Sequence, residues 1–352
     1  MASAAADASA VADVLSIERF ALMGHSSGGS HALACAALLP ERVLAVVVVA
    51  GMAPFIAEGL DWLPDDSVLT DDEVVRLVRI GVELLGVREV RFTGGEPLVR
   101  RGLVDIVRRT HDLGVETSVT TNALGLSRNA AALAAAGLDR VNVSLDTVRS
   151  ETFHTITRRD RFHDVIAGLE AARAAGLGPI KINAVLLRGV NDDQAAELLR
   201  WAIGEGYELR FIEQMPLDAQ HGWSRAAMVT ADEIFAQLER EFVLSPAAEP
   251  RGSAPAELFL VDGGPATVGI IASVTRPFCG SCDRVRLTAD GQVRNCLFAR
   301  EESDLRAALR TGVPDEELAA RMRASLLAKR PGHGIDEPGF LQPVRPMSAI
   351  GG

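Results

Sequence analysis

Short apolar runs alternate with stretches of helical periodicity from about residue 70 to residue 213. Short runs rich in Val and Ile are typical of buried strands, whereas apolar positions at helical spacing indicate amphipathic helices. Repeated strand–helix units predict parallel strands joined by right-handed crossovers. The expected fold is therefore α/β, a closed or partial (β/α) barrel with its active site at the carboxyl ends of the strands. Strands are predicted near residues 89–92, 116–120, 140–145, 180–187 and 208–213, and helices near 70–85, 103–113, 129–136, 162–175 and 195–204.

The segments on either side of this region follow different patterns. The N-terminal segment predicts a strand at 20–23, an Ala-rich helix at about 30–39 and a fully apolar strand at 43–50, of the kind that is buried in parallel sheets. Beyond about residue 245, shorter strands surround a cysteine cluster, and two helices precede a Gly-Gly tail. Three segments are therefore predicted, with bounds 1–56, 57–244 and 245–352.

The N-terminal segment contains a possible nucleophile turn. Residues 24–28 read Gly-His-Ser-Ser-Gly, which fits the G-x-S-x-G pattern between a strand and a helix. Residues 20–55 resemble this part of an α/β-hydrolase, in which Ser26 would be the nucleophile. The partner Asp and His of a hydrolase do not follow, so we expect Ser26 to be inert and the segment to be a foreign βαβ-like fragment.

Three of the four cysteines lie close together in the sequence. Cys279 and Cys282 form a CxxC pair, and Cys296 follows after a gap of thirteen residues. Thiolates at this spacing can converge on one iron–sulfur cluster or on one zinc ion. Three ligands leave one metal position open, which suits a site that binds a substrate. A zinc knuckle with a distant fourth ligand is the alternative.

Basic residues beside this cluster suggest a site for phosphate. Arg284 and Arg286 alternate, so on a strand their side chains point the same way and offer two guanidinium forks to phosphate oxygens. Lys181 lies within a predicted strand whose other residues are mostly apolar, and it is one of only two lysines in the chain. A solvated position is the alternative for each of these residues.

Small and polar residues follow the predicted strands at the rim where a (β/α) barrel places its active site. Gly95 and Glu96 follow the strand at 89–92, and the glycine lets a ligand approach the backbone closely. Thr120 and Ser144 stand at the ends of later strands. A generic turn is the alternative for each of them.

Composition limits the classes of function. A net charge of −11 lacks the basic footprint of a nucleic-acid-binding surface, so no nucleic-acid partner is expected. The first residues carry no positive n-region of a secretory signal, and the apolar runs are too short to span a bilayer. We expect a cytoplasmic protein without a membrane partner, in which clustered cysteines bind metal rather than form disulfides.

The motifs together resemble one family, the GTP 3′,8-cyclases of molybdenum cofactor synthesis. They stand in family order from about residue 57 to residue 352: Arg-Phe-Thr-Gly-Gly-Glu-Pro-Leu at 91–98, Thr-Thr-Asn at 120–122, Asn-Val-Ser-Leu-Asp at 142–146, Asn-Asp-Asp at 191–193, Arg-Phe-Ile-Glu at 210–213 and C-x2-C-x13-C at 279–296. The Gly-Gly tail matches as well. The resemblance implies a partial barrel of the radical-SAM type with a C-terminal cluster-binding extension.

The resemblance also implies cofactors, a substrate and roles for residues. The family uses S-adenosylmethionine (SAM) and two [4Fe–4S] clusters to cyclise GTP, and the product passes to the next enzyme of the pathway. A homodimer is compatible with the sequence. The three cysteines would hold the second cluster, whose open iron binds guanine. Positions that match SAM contacts are Gly95, Glu96, Ser144 and Met215, and those that match GTP contacts are Arg91, Thr120, Lys181, Arg284, Val285 and Arg286.

The sequence departs from the family where the first cluster should bind. The family has Cys-x3-Cys-x2-Cys on its first strand, but only Cys35 precedes Cys279 here. Without three thiolates the SAM-cleaving cluster has no evident ligands, so impaired cyclisation is expected. The alternatives are a non-catalytic GTP-binding iron–sulfur protein, a serine hydrolase that uses Ser26, and a plain zinc protein.

Overall fold

The computed structural model describes residues 2–25, 32, 35–49 and 68–351. The chain divides into two compact units, Met1–Asp66 and Ser67–Gly352. The first contains helix α1 (Ala2–Val14) and a two-stranded parallel sheet of β1 (Phe20–His25) and β2 (Val43–Val49). Both strands of this unit confirm the sequence prediction. Ser26 and the predicted segment boundary at residues 56 and 57 lie outside the described residues.

An eight-stranded sheet forms the centre of the second unit, in the order β3-β4-β5-β6-β7-β10-β9-β8. The first six strands of that order are parallel to their neighbours, and β9 and β8 extend the sheet in antiparallel fashion. The described pairings run along this order without joining its two ends, so the sheet is a partial barrel. The strands are β3 (Glu89–Phe92), β4 (Glu116–Thr121), β5 (Arg140–Ser144), β6 (Ile180–Val185), β7 (Glu208–Ile212), β8 (Leu244–Pro246), β9 (Glu257–Val261) and β10 (Thr267–Ile271).

Helices follow the parallel strands, as the periodicity predicted. The helix expected from residue 70 begins with a capping box, in which the Thr70 hydroxyl accepts from Glu73 N–H and the Glu73 carboxylate accepts from Thr70 N–H. Two short helices, α5 and α8, were not predicted. The helices are α2 (Asp71–Leu85), α3 (Leu103–His111), α4 (Leu126–Ala135), α5 (Ser150–Thr157), α6 (Phe162–Ala174), α7 (Ala195–Glu205), α8 (Ala231–Leu238), α9 (Arg306–Arg310), α10 (Asp315–Leu327) and α11 (Met347–Ile350).

The core of this unit lies between one face of the sheet and the helices. Val119, Val143, Ile182 and Phe211 are fully buried there among residues of the surrounding helices. A smaller core joins α2, α9 and α10 to a three-stranded sheet of β11 (Arg286–Leu287), β12 (Gln292–Arg294) and β13 (Ser303–Asp304). Among the described residues, every helix is too short or too polar to cross a bilayer.

Candidate functional site

The second face of the parallel sheet is lined with polar and charged side chains. Side chains alternate between the two faces of a strand, so residues next to the buried apolar positions share this opposite face. The strand register places Arg91 opposite Ser118, and Asn183 opposite Arg210. We call this set the polar face: Glu89, Arg91, Ser118, Thr120, Arg140, Asn142, Lys181, Asn183, Glu208 and Arg210.

Positive charge on the polar face is only partly neutralised. Burial lowers the pKa of Arg91; Glu89 opposes this effect, and the Arg140 and Arg284 charges add to it. Burial also lowers the pKa of Arg210 to about 10, again with contributions from Arg91 and Arg140. Cations that disfavour one another at close range favour an anion between them. The polar face therefore has the electrostatics of a phosphate-binding site.

Several buried polar atoms on the polar face lack a hydrogen-bond partner. Within the part of the chain that the structure describes, they include Asn142 Oδ1, Asn183 Oδ1 and Arg210 Nε. These residues lie on three neighbouring strands, and Lys181 beside them is paired with Glu208 at 2.9 Å. Leaving a buried polar group unpaired costs about 1–3 kcal/mol. A ligand with both hydroxyl donors and anionic acceptors would satisfy all three atoms.

The loop after β3 is fixed by its own carboxylate. Glu96 accepts hydrogen bonds from Leu98 N–H at 3.0 Å, from the Thr121 hydroxyl at 2.7 Å and from Asn122 N–H at 2.8 Å. The carboxylate thus joins the ends of β3 and β4, and it holds Gly95 at the rim. Both oxygens are engaged within the protein, a role that the sequence did not reveal.

Two other positions expected to contact SAM lie at the ends of β5 and β7. Ser144 is the last residue of β5 and is exposed. Met215 follows β7 by three residues, and its carbonyl accepts from Leu217 N–H at 2.8 Å. Since β5, β6 and β7 are parallel neighbours, both residues lie at the same carboxyl edge of the sheet.

The C-terminal tail lies against the same rim. The Arg286 guanidinium donates to the Gly351 carbonyl. Gly351 has φ of 79°, and a Cβ on it would stand 2.6 Å from Thr93 Cγ2. A side chain is therefore excluded at this glycine by both conformation and space. The tail, the loop after β3 and the strand that carries Arg286 are brought together here.

The three C-terminal cysteines lie in one half-buried neighbourhood. A 3-10 turn spans Cys279–Ser281, and Cys282 N–H donates to Cys279 O at 3.2 Å. Burial raises the pKa of the Cys279 thiol, and the nearby Cys296 and Cys282 raise it further. Cys279 thus lies within electrostatic reach of both other cysteines.

Cys282 differs from Cys279 because basic groups surround it. The Arg284 guanidinium and the Lys329 ammonium each lie 3.2 Å from Cys282 Sγ. Burial opposes ionisation, but the Arg284 backbone N–H, the Arg284 charge and Lys329 together lower the pKa of Cys282. The site therefore favours a thiolate, the form that binds metal.

The three thiols are a donor set for a metal centre of either kind, an iron–sulfur cluster or a zinc ion. In residues 2–25, 32, 35–49 and 68–351, no group of three Cys, His, Asp or Glu side chains is placed to hold one metal ion. The fit of a cluster to this site rests on the donor chemistry, three thiols beside basic groups that favour thiolates.

Arg286 connects the cysteines with the polar face. Burial lowers the pKa of Arg286 to about 10, Arg284 and Arg91 lower it further, and Cys296 and Cys282 oppose the effect. Arg286 thus lies within electrostatic reach of both groups. The Arg284 guanidinium stacks on the Phe278 ring at 5.1 Å.

Val285 differs from the other expected GTP contacts. Its side chain is partly buried against the smaller core. Only its backbone can therefore face a ligand on the side of its arginine neighbours. Asn142, Asn183 and Arg210 were not predicted as site residues individually, although strict alternation along β5, β6 and β7 would have shown that they share a face with Lys181.

The ligands of a first cluster are not matched by this sequence. Among the 352 residues only Cys35 precedes Cys279, and Cys35 is buried. One inaccessible thiol does not fit a cluster that needs three thiolates.

Comparison with known proteins finds three family models that match parts of the chain. The Radical SAM superfamily model matches residues 57–202, the Molybdenum Cofactor Synthesis C model matches residues 207–335, and an α/β hydrolase fold model matches residues 1–82. The GTP 3′,8-cyclase of Streptomyces coelicolor is 63% identical over 298 residues, which cover 84% of this chain and 87% of that protein.

Two other relatives match the same share of this chain. The GTP 3′,8-cyclase of Mycobacterium sp. (strain KMS) is 59% identical over 298 residues, or 84% of this chain and 85% of that protein. That of Corynebacterium glutamicum is 55% identical over 307 residues, or 84% of this chain and 81% of that protein. The chain therefore belongs to the GTP 3′,8-cyclase family of radical-SAM proteins in molybdenum cofactor biosynthesis.

Proposed function

We propose that this chain takes GTP as its substrate, with the triphosphate on the polar face and the guanine at the C-terminal cysteines. The observation that carries the proposal is the set of unpaired atoms on Asn142, Asn183 and Arg210 beside mutually repelling cations. The cations would neutralise phosphate charge, and the amide oxygens would accept from ligand hydroxyls. A nucleoside triphosphate offers both kinds of group.

Members of the radical-SAM family use [4Fe–4S] clusters and SAM. In this chain Cys279, Cys282 and Cys296 would hold a [4Fe–4S] cluster, which supplies an iron with an open position for the guanine when bound. By the same proposal, GTP would contact Arg91, Thr120, Lys181, Arg284, Val285 and Arg286. SAM would contact Gly95, Glu96, Ser144 and Met215. Glu96 would act in part by holding the loop that presents Gly95.

The family reaction cyclises GTP to (8S)-3′,8-cyclo-7,8-dihydroguanosine 5′-triphosphate, which the next enzyme of molybdenum cofactor synthesis would receive. The residues of this chain would bind, orient and charge-neutralise GTP for that reaction. A second candidate function, GTP binding without cyclisation, is favoured by the single cysteine that precedes Cys279. The sequence lacks the three thiolates of a first cluster, so that cluster has no part in the proposed binding.

A spectroscopic titration tests the proposed binding. The protein is reconstituted anaerobically with iron and sulfide, reduced, and titrated with GTP, ATP or inorganic tripolyphosphate while its EPR spectrum is recorded. We expect GTP alone to shift the spectrum, because only guanine reaches the iron, and all three compounds to compete for the polar face. A spectrum that GTP leaves unchanged would contradict the proposal.

A further inference from the structure

Lys329 contacts two parts of the candidate site at once. It lies two residues beyond the end of α10, and its ammonium stands 3.2 Å from Cys282 Sγ and 2.8 Å from the Arg284 carbonyl oxygen. It is one of only two lysines among 36 basic residues. The bonds span 47 and 45 residues of sequence, so no local turn imposes them.

The helix that presents Lys329 is fixed at both ends. At its start, Asp315 accepts from Arg76 Nε of α2 at 2.8 Å. In its last turn, the Ser325 carbonyl accepts from Asn295 Nδ2 at 2.8 Å. Asn295 immediately precedes Cys296, so the end of α10 is bonded to both segments that carry the cysteines. The backbone that carries Lys329 is therefore already ordered, and only the side chain loses conformational freedom when the ammonium bonds to Cys282.

We propose that Lys329 is a positioning residue for the C-terminal cluster, donating a charged N–H···S hydrogen bond to Cys282 and fixing the Arg284 backbone. The proposal rests on the proposed function, in which Cys279, Cys282 and Cys296 hold a [4Fe–4S] cluster. Hydrogen bonds and charge around cluster sulfurs set the reduction potential. The ammonium stabilises the more negative, reduced cluster more than the oxidised one, so it raises the potential.

Three variants separate charge, hydrogen bonding and general surface effects. Lys329→Met removes both the charge and the donor, whereas Lys329→Arg keeps them. Lys329→Gln keeps a neutral donor and serves also if the methionine variant folds poorly. Arg330→Gln is the matched control, because it removes one positive charge from the adjacent exposed residue. Each protein is reconstituted with iron and sulfide, and its iron content and circular dichroism are measured first.

The readouts are the midpoint potential of the cluster and the rate at which an iron chelator removes it. We expect Lys329→Met to shift the potential to more negative values and to lose its cluster about tenfold faster, in line with loss of an outer-shell hydrogen bond. Lys329→Gln should show a smaller shift of the same sign. Lys329→Arg and Arg330→Gln should stay near the wild type.

Two results would overturn the role of Lys329: an unchanged potential in Lys329→Met, or an equal shift in Arg330→Gln, which would reveal a general charge effect. A wild-type protein that takes up no iron would instead refute the proposed function, and the role of Lys329 with it. The iron content of the wild type therefore distinguishes the two failures.

Discussion

Arg286 offers a prediction in which ligand affinity and protein stability move in opposite directions. Its guanidinium is partly buried beside Arg284 and Arg91, and these surroundings lower the pKa of Arg286 to about 10. The group nevertheless stays charged at neutral pH. Its hydrogen bond to the Gly351 carbonyl leaves other N–H donors for an anion. Substitution Arg286→Gln keeps a polar side chain and removes the charge.

The magnitudes follow from this arrangement. A hydrogen bond to a charged group contributes about 1.5–3 kcal/mol, so its loss should raise the Kd for GTP roughly 10- to 150-fold. The lowered pKa of Arg286 implies that holding the charge costs the free protein up to about 3 kcal/mol. Removing the charge would recover this free energy, but solvent screening and the lost bond to Gly351 reduce the amount recovered. The free energy of unfolding should therefore stay level or rise.

Calorimetric titration of the reconstituted proteins with GTP measures the affinity, and urea unfolding measures the stability. Arg321→Gln is the control, since Arg321 is exposed and pairs only with its helix neighbour Glu317 at 2.7 Å among the described ion pairs. An Arg286→Gln protein that binds GTP as tightly as the wild type would refute the reasoning. So would an equal loss of affinity in Arg321→Gln.

Three further predictions concern two carboxylates and one of the cysteines. Glu213 accepts from three backbone N–H groups and one hydroxyl, so Glu213→Gln should lower the unfolding free energy by about 2–4 kcal/mol in urea, unlike exposed Glu83→Gln. Burial raises the pKa of Asp146 to about 6. The contribution of this group to the free energy of unfolding is therefore fully present below about pH 4 and is lost as pH rises through 6. Relative to the wild type, the Asp146→Asn variant should therefore gain up to about 3 kcal/mol in unfolding free energy near pH 8 and almost nothing near pH 4, by the same assay. Cys296→Ser should lower iron uptake on reconstitution, measured per chain, while an unchanged content would contradict its role as a ligand.

The fold was predictable where local patterns are clear. The strands predicted at 116–120 and 208–213 appear as Glu116–Thr121 and Glu208–Ile212, because strand propensity and short apolar runs are local properties of the sequence. Helix α5 was missed because it is short and rich in threonine, which disfavours helix interiors. The helix ends at Arg158, whose φ of 57° lies in the left-handed region, and the sequence does not indicate this backbone conformation.

Sequence patterns singled out only part of the polar face. Lys181 was found because it interrupts an apolar run, whereas Asn183 beside it carries no charge and drew no attention. Its neighbour Arg210 is set by strand register, which is a long-range property. Lys329 meets Cys282 only after α10 has packed.

The most direct test of the account combines an iron count with a SAM-cleavage assay on the anaerobically reconstituted protein. The account predicts about four irons per chain, from one cluster on three cysteines, and no 5′-deoxyadenosine from SAM under dithionite. About eight irons per chain together with SAM cleavage would contradict it, because a first cluster would then be held without the cysteines that the family uses.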